Sequence, residues 1–338
     1  MKTGYLSRAY QPVANAGSKP RYDVDTMLAS LGAKPLGLPT RYIRGPLAMR
    51  LYNRASDLLT RLRPGRARTV VAQYPPLDYE MVTIGRMLDA GGRLVLLVHD
   101  IETLRGAADD PRERLFERAS AVIVHTPAME AWVRERTDAR TVVLGIFDFI
   151  TQAAVSAPDA GFREHPRTVF FAGNLAKAPF LSRLDWPADR VSLKLFGVNP
   201  SPEVLERPFV DYRGSCLPEE LMAATAGYDF GLVWDGSSAD TCDGPMGAYL
   251  RYNAPFKLTS CLAAGVPVIV WSGMGLAPYV RERGLGLVVD SLAEVPGRLE
   301  ALTPDDYRAM RAAAAREQRL VTTGAHYRAA LTAALRWN

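Results

Sequence analysis

The sequence predicts an α/β protein built from two doubly wound parallel-sheet domains facing a cleft, and three observations lead there. A chain of 338 residues exceeds one ordinary domain and suits two of roughly 150 residues each. Short apolar runs alternate with helix-like segments along most of its length. That rhythm is interrupted by one polar stretch, Thr151–Pro166, which carries Pro158, Gly161 and Pro166 and reads as a linker. The expected division is an acceptor-binding domain over 1–155, a second domain over 156–320, and a C-terminal helix over 321–338.

Taken in order, Gly4–Arg8 reads as the first strand. The β-branched run Thr69–Gln73 is followed, after Pro75-Pro76, by a helix from Asp78 to Asp89. Arg93–His99 (RLVLLVH) is a near-continuous apolar run, as in a parallel strand buried on both faces. Pro111–Arg118 reads as helix and Ala121–His125 as strand. Pro127 suits the first position of a helix reaching Arg136, and Thr141–Leu144 is a further strand. Beyond the linker, strands are expected at Thr168–Ala172, Val191–Phe196, Phe209–Tyr212, Phe230–Trp234, Val266–Trp271 and Leu285–Val289. This βαβ alternation specifies parallel sheets. The segment from Pro304 to Asn338 is helical in pattern, with Tyr327, Leu331, Leu335 and Trp337 expected to pack back on the N-terminal domain. Ligands of such sheets sit beyond the carboxyl ends of the strands, so residues just after strands are the functional candidates.

Composition sets outer limits. The chain is 48% apolar and 23% charged, as in a globular protein with a sizeable core. No run approaches the roughly 18 apolar residues of a membrane span. The opening MKTGYLSRAY has no apolar h-region, which predicts a cytoplasmic location. Cys216, Cys242 and Cys261 lack metal-ligand spacing, and Cys242 has no histidine near it in sequence to make it a nucleophile. The net charge of +5 is unevenly spread: residues 1–150 hold 22 basic and 16 acidic residues, the remainder 19 and 20. Between Arg41 and Arg68 stand eight arginines and a single acid, Asp57. Codon bias of a GC-rich genome accounts for such a stretch, and so does an anionic partner such as phospholipid headgroups at the inner face of the cell membrane. Few aromatics and no binding motif accompany it, which speaks against nucleic acid.

The most informative segment is Tyr249–Trp271, YLRYNAPFKLTSCLAAGVPVIVW. Phe256 to Ala264 reads as a helix stopped by Gly265, with Asn253 and Lys257 near its start and Tyr249 and Tyr252 just before. Free N–H groups, the positive end of the dipole and a lysine make a ready anion site. Phe171-Ala-Gly-Asn-Leu-Ala-Lys177 follows a strand directly. Gly173 permits close backbone approach, Asn174 offers donor and acceptor, and Lys177 adds charge. Phe196-Gly197 and Tyr212-Arg213-Gly214 end the next two strands, their aromatics reading equally as core residues. Asp235, after another strand, either binds a sugar hydroxyl or caps the loop Gly236–Gly247, whose polar, glycine-rich composition suits a mobile cover. In the N-terminal half, Asn15, Gly17, Ser18 and Lys19 form a loop after the first strand, suited to a diphosphate or an acceptor. Asp100 closes the most apolar strand and is the candidate general base, with Glu102 and Asp148 behind it. Its alternative role is to order its own loop through Arg105.

These motifs resemble those of glycosyltransferases with the GT-B fold of two Rossmann-like domains. Helix–Gly–x–Pro–Val–Ile–Val is similar to their donor-diphosphate helix and the strand after it. The longer string is similar to the bacterial sugar-transferase family that includes the glucosyltransferase of streptococcal serine-rich adhesins and beta-1,6-galactofuranosyltransferases. Further matching segments are Asn15–Pro20 with Asp23, His99–Arg105, Gly145–Phe149, Phe171–Lys177 and Tyr228–Gly236, in the expected order over residues 5 to 290.

The resemblance implies transfer of a hexose (glucose, galactose or galactofuranose) from a UDP-sugar to an acceptor glycan on a protein, a lipid or a cell-wall polysaccharide. It implies that the turns at Phe196-Gly197 and Tyr212–Gly214 flank uracil. With Lys257, Lys177 and Lys19 to stabilise the leaving diphosphate, no metal or other cofactor is required, and the reaction is expected to invert. No Asp-x-Asp stands at a strand end, and Asp109-Asp110 is a poor metal candidate. A nicotinamide-dependent enzyme lacks its Gly-x-Gly-x-x-Gly here. The other alternative is a degenerate transferase acting as a nucleotide-sugar- or glycan-binding scaffold subunit. The sequence leaves self-association open.

Overall fold

The computed structural model describes residues 3–7, 9, 18–62, 68–153 and 165–336. Two compact units divide the chain: one holds the described residues up to Gly145 together with Gly324 onward, the other Ile146–Thr323. The sequence placed these boundaries at 155/156 and 320/321. Most of the expected linker, residues 154–164, lies outside the described residues.

In the N-terminal unit, β1 (Thr3–Tyr5), α1 (Lys19–Ser30), β2 (Lys34–Pro35), α2 (Pro46–Leu62), β3 (Thr69–Tyr74), α3 (Asp78–Asp89), β4 (Arg93–Val98), α4 (Arg114–Arg118), β5 (Ala121–Val124), α5 (Pro127–Arg134) and β6 (Arg140–Val143) follow in turn. Among the described residues the sheet has six strands in the order β2-β1-β3-β4-β5-β6, all paired in parallel. The central strands are apolar because both faces are covered: every residue of β5 and all of β4 except Arg93 are buried. Strand β2 has only two residues, too short for a period-two pattern, and was not anticipated. Thr126 caps α5 by accepting from Met129 N, with Pro127 at the first helical position.

The second unit contains β7 (Thr168–Asn174), β8 (Ser192–Val198), α6 (Pro202–Leu205), β9 (Val210–Tyr212), α7 (Pro218–Thr225), β10 (Phe230–Val233), α8 (Gly244–Tyr249), α9 (Phe256–Ala263), β11 (Val268–Trp271), α10 (Ala277–Arg283), β12 (Gly286–Val289), α11 (Val295–Glu300) and α12 (Pro304–Thr323). Its described strands run β12-β11-β10-β7-β8-β9, again parallel. The chain steps outward from β7 to β9, then returns to the other side of β7 with β10. This reversal leaves a topological switch point between the carboxyl ends of β7 and β10.

Two buried polar devices hold this unit. Asp229 accepts from Arg167 N, Thr168 N and Thr168 Oγ1 through one oxygen and from Tyr307 Oη through the other, tying α12 to the start of β7. The segment Gly145–Phe149, one of the family-like motifs, lies along α12 and α9. Phe149 N donates to Val321 O, the Phe149 ring stacks on Phe256, and Thr259 Oγ1 donates to Phe147 O.

The last helix, α13 (Ala325–Leu335), packs on α1, β5 and β6 of the N-terminal unit. Tyr327 and Leu331 are buried there as expected, Leu335 is half-buried, and Trp337 lies outside the described residues. Arg140 donates to Ala333 O across this contact.

His125, at the end of β5, is fully buried and donates Nε2–H to Val98 O at 2.7 Å. Burial pushes its pKa from 6.5 down to about 4, so the folded protein keeps it neutral. The unfolded chain protonates it near 6.5, so this contribution is intact above that pH and is lost as pH falls from 6.5 toward 4. From pH 7.5 to 5 the expected loss is about 2 kcal/mol. Urea unfolding at both pH values checks this: His125→Gln should show a loss smaller by that amount.

Candidate active site

Five loops or helix ends converge at the switch point of the second unit. Strand β7 ends in Gly173-Asn174, β8 in Phe196-Gly197, β9 in Tyr212 followed by Gly214, and β10 in Trp234-Asp235, while α9 begins at Phe256. Lys257, in the first turn of α9, joins the ends of β7 and β10. Its Nζ donates to Asp235 Oδ1 at 2.6 Å and stands 5.4 Å from the centre of the Phe171 ring. Its Cε would lie 3.5 Å from a Cβ placed on Gly173. Residues 84 positions apart in sequence thus share one small volume.

The glycines make this convergence possible. Gly197 has φ +141°, and any Cβ on it would overlap the Gly173 carbonyl. Gly197 N donates to Gly214 O, and Tyr212 Oη donates to Gly197 O, both at 2.8 Å. Backbone from β7, β8 and the turn after β9 therefore forms a closely stepped surface, open to a flat ligand because side chains are missing. Tyr212 is exposed beside it. Phe196 is instead buried, packed edge-on against Phe170 and tilted against Tyr228, so the core reading of that aromatic holds in the structure.

Helix α9 begins at Phe256 after Pro255, which supplies no side-chain cap; Leu258 N turns back on Pro255 O, and the helix start suits an anionic acceptor. Just before it, Asn253 Oδ1 is buried without a hydrogen-bond partner. Among the described residues only Arg311 Nε shares that condition. An orphaned acceptor costs about 1–3 kcal/mol and marks a place where a ligand donor is wanted. Tyr252 is half-buried nearby in sequence. Tyr249 was expected at the donor, but it is 1% exposed and belongs to the core: the short helix α8, which it ends, turns it inward.

Other candidates take more local positions. Asn174 Oδ1 accepts from Ala176 N and Asn199 Nδ2, and Lys177 is exposed in the turn it caps. The stretch Gly236–Gly247 is not a free loop. Asp243 accepts from Ser237 N, Ser237 Oγ and Ser238 N, Trp234 Nε1 donates to Ser238 O, and α8 begins inside it at Gly244. The hydrogen bonds to Ser237 and Ser238 hold the Asp243 carboxyl below the usual carboxylate range. Burial pushes the Cys242 thiol up to about 12, so it is no nucleophile at neutral pH.

In the N-terminal unit the carboxyl ends of β3 and β4 carry a buried polar chain that the sequence reading missed. Gln73 Nε2 donates to Asp25 Oδ1 and Arg21 O, which turns its Oε1 toward His99 Nε2 at 2.7 Å. Thr40 Oγ1 donates to the other oxygen of Asp25. An amide closing an otherwise apolar strand was the available signal. Asp100 follows His99 and is partly exposed. Arg105 lies 3.5 Å from Asp100 and 3.2 Å from Glu102, so the two carboxylates share one guanidinium. Asp148 is fully buried in the second unit.

Asn15 and Gly17 lie outside the described residues. Ser18 precedes α1 without a side-chain cap bond. Lys19, expected to face a diphosphate or an acceptor, is 1% exposed and bonded to both oxygens of Asp23 at 2.5 and 2.6 Å. A buried ammonium needs such a carboxylate, so its charge is spent inside α1. Among the described residues no group of three or more His, Cys, Asp or Glu side chains is arranged to hold a metal.

Solved structures share the fold. Sucrose-phosphate synthase from Thermosynechococcus elongatus superposes with a TM-score of 0.64 at 14% identity, covering 98% of both chains. An α-glucosyltransferase solved with UDP and DNA superposes at 0.60 with 11% identity, covering 98% of this chain and 97% of its own. At such identities the likeness concerns the fold, which is GT-B. In sequence, beta-1,6-galactofuranosyltransferase WbbI of Escherichia coli K12 is 30% identical over 242 residues, 70% of this chain and 69% of its own. Glucosyltransferase 3 of Streptococcus gordonii is 26% identical over 297 residues, 85% and 84% of the two chains.

A GT-B fold with these relatives defines a glycosyltransferase. Family models for the N-terminal and C-terminal domains of glucosyltransferase 3-like proteins match residues 3–146 and 169–334. The chain belongs to that glucosyltransferase 3-like family.

Gly197→Ala should destabilise the second unit by at least about 2 kcal/mol, since it adds a positive-φ penalty to a backbone clash. A shift in the urea midpoint measures it. Gly297→Ala, inside α11 with open space around it and no positive φ, is the control and should stabilise slightly, by about 0.5–1 kcal/mol.

Proposed function

We propose that this chain transfers a hexosyl group from a UDP-sugar to a hydroxyl of an acceptor glycan, carried on a protein, a lipid or a cell-wall polysaccharide. The hexose is glucose, galactose or galactofuranose; relatives are named for glucosyl and galactofuranosyl transfer. One observation carries the reading: Lys257, in the first turn of α9, lies against Gly173 at the switch point, and Gly173 in turn abuts Gly197, which is bonded to Gly214. A diphosphate is the ligand that a helix N-terminus plus a lysine suits best. Structural neighbours solved with UDP or UDP-glucose support the nucleotide part.

In this mechanism the acceptor oxygen attacks C1 of the donor sugar and its proton passes to the Asp100 carboxylate. The bond from C1 to the β-phosphate oxygen breaks, and UDP leaves with inversion at C1. Charge grows on the β-phosphate, where Lys257 and the α9 N–H groups stabilise it without a metal. Asp235 keeps Lys257 paired before the donor arrives and then accepts from a sugar hydroxyl. Tyr212 and the Gly197 backbone flank uracil, and Asn253 Oδ1 takes a donor hydrogen. Lys177 adds positive potential from the turn after β7. Asp100 takes the base role over Glu102 by standing nearer the carboxyl end of β4, and over Asp148 by its access to solvent.

A panel of UDP-sugars with UDP release as readout tests the reading. Lys257→Ala should lower turnover roughly 100-fold or more, while wild-type turnover survives EDTA; near-normal activity in the variant removes the phosphate site. Asp100→Asn should abolish transfer yet leave UDP-induced thermal stabilisation unchanged. A competent variant excludes Asp100 as the base.

A further inference from the structure

Helix α2 is mounted on its unit by its polar side. Ser56 Oγ accepts from Leu38 N and Asn53 Oδ1 from Ala9 N, and Tyr52 Oη donates to Pro39 O. Ser56 and Thr60 are its buried residues with described side chains. A surface helix ordinarily buries its apolar stripe and shows its polar face to water. Here the order is reversed: Leu47, Leu51 and Leu58 are 69%, 58% and 55% exposed. At 3.6 residues per turn they fall within about 40° of arc. Tyr42, just before the helix, is 52% exposed, and among the described large hydrophobic residues only these four are more than half exposed.

The same face is cationic. Arg44, Arg50 and Arg54 are exposed, and Arg54 lies between Leu51 and Leu58 on the helix surface. The Arg41 guanidinium stacks on Tyr52 at 4.6 Å, on the mounting side of the helix. Asp57, the acid of this stretch, shares the flank with Arg50, two turns on and about 20° of arc away, while Arg54 stands nearer the ridge. Exposed leucines bordered by arginines are the signature of a helix lying in the plane of a membrane interface. Two copies of this face would set arginine against arginine, which disfavours self-pairing. None of these residues belongs to the donor site.

We propose that the exposed face of α2, with Tyr42, Leu47, Leu51 and Leu58 as its apolar ridge and Arg44, Arg50 and Arg54 as its charges, docks on an anionic phospholipid surface. The leucines enter the acyl boundary and the guanidiniums pair with headgroup phosphates. This would hold the transferase beside an acceptor carried at the membrane.

Vesicle co-sedimentation of the full chain tests it, using phosphatidylglycerol–phosphatidylcholine vesicles against phosphatidylcholine alone. Binding to the anionic vesicles, release by high salt, and none to neutral ones is the expected pattern. The triple variant Leu47→Ser, Leu51→Ser, Leu58→Ser and the triple Arg44→Gln, Arg50→Gln, Arg54→Gln should each weaken binding about tenfold or more. Both should keep wild-type circular dichroism and UDP release with a soluble acceptor. No binding to anionic vesicles, or equal binding by the leucine variant, overturns the proposal. So does a dimer in light scattering that the leucine variant dissolves, which would assign the face to a second copy.

Discussion

The parallel pairing of β7 with β8 on one side and β10 on the other governs the second unit. Parallel strands leave all their carboxyl ends at one edge, and the chain's reversal at β7 holds that edge open between β7 and β10. Gly173 and Asp235 are brought there by register alone, Phe170 pairing with Gly231 and Ala172 with Phe196. Asp229 then clamps the opposite end of β7 to Tyr307 of α12. Without a side chain on Gly197, β8 approaches β7 closely enough for three turns to present backbone. A site for a nucleotide follows from these constraints before any catalytic residue is named.

Charge in this unit is arranged around Lys257. A lysine at the positive end of a helix is unfavourable by itself, and Asp235 offsets that repulsion across 2.6 Å. The pair is partly exposed, so its net worth to stability is small; its significance is that the lysine is held in place. Lys19 shows the opposite arrangement. Fully buried and bonded to both oxygens of Asp23, it stiffens the first turns of α1 and has no charge to lend. Two lysines that look alike in sequence, each near a helix start, thus diverge because one faces the open end of a sheet and the other the interior.

α2 and α13 illustrate how much a helix pattern leaves undecided. Both carry apolar residues on one face. In α13 the stripe of Tyr327 and Leu331 is buried against the N-terminal unit. In α2 the serine, threonine and asparagine face is anchored instead, and no helix in the described chain is long and apolar enough to cross a membrane. A leucine stripe together with arginines on one side is a surface-binding geometry, which only the hydrogen bonds of Ser56 and Asn53 reveal.

The sequence by itself determined the strand-and-helix alternation and the residues at the strand ends. Runs such as RLVLLV and AVIV fit strands buried on both faces, and Pro127 and Gly265 mark helix ends by covalent geometry. Lys257 and Gly173 were legible as candidates because local chemistry sufficed. Tertiary structure decided what local pattern cannot encode. It set which aromatic faces out, Tyr212 or Phe196, and drew Tyr249 into the core. It joined Asp25, Gln73 and His99 into one chain and tied down the serine-rich loop through Asp243. Each of these depends on a partner distant in sequence or on the direction a helix faces. Burial and pairing energies become definite only when those partners meet.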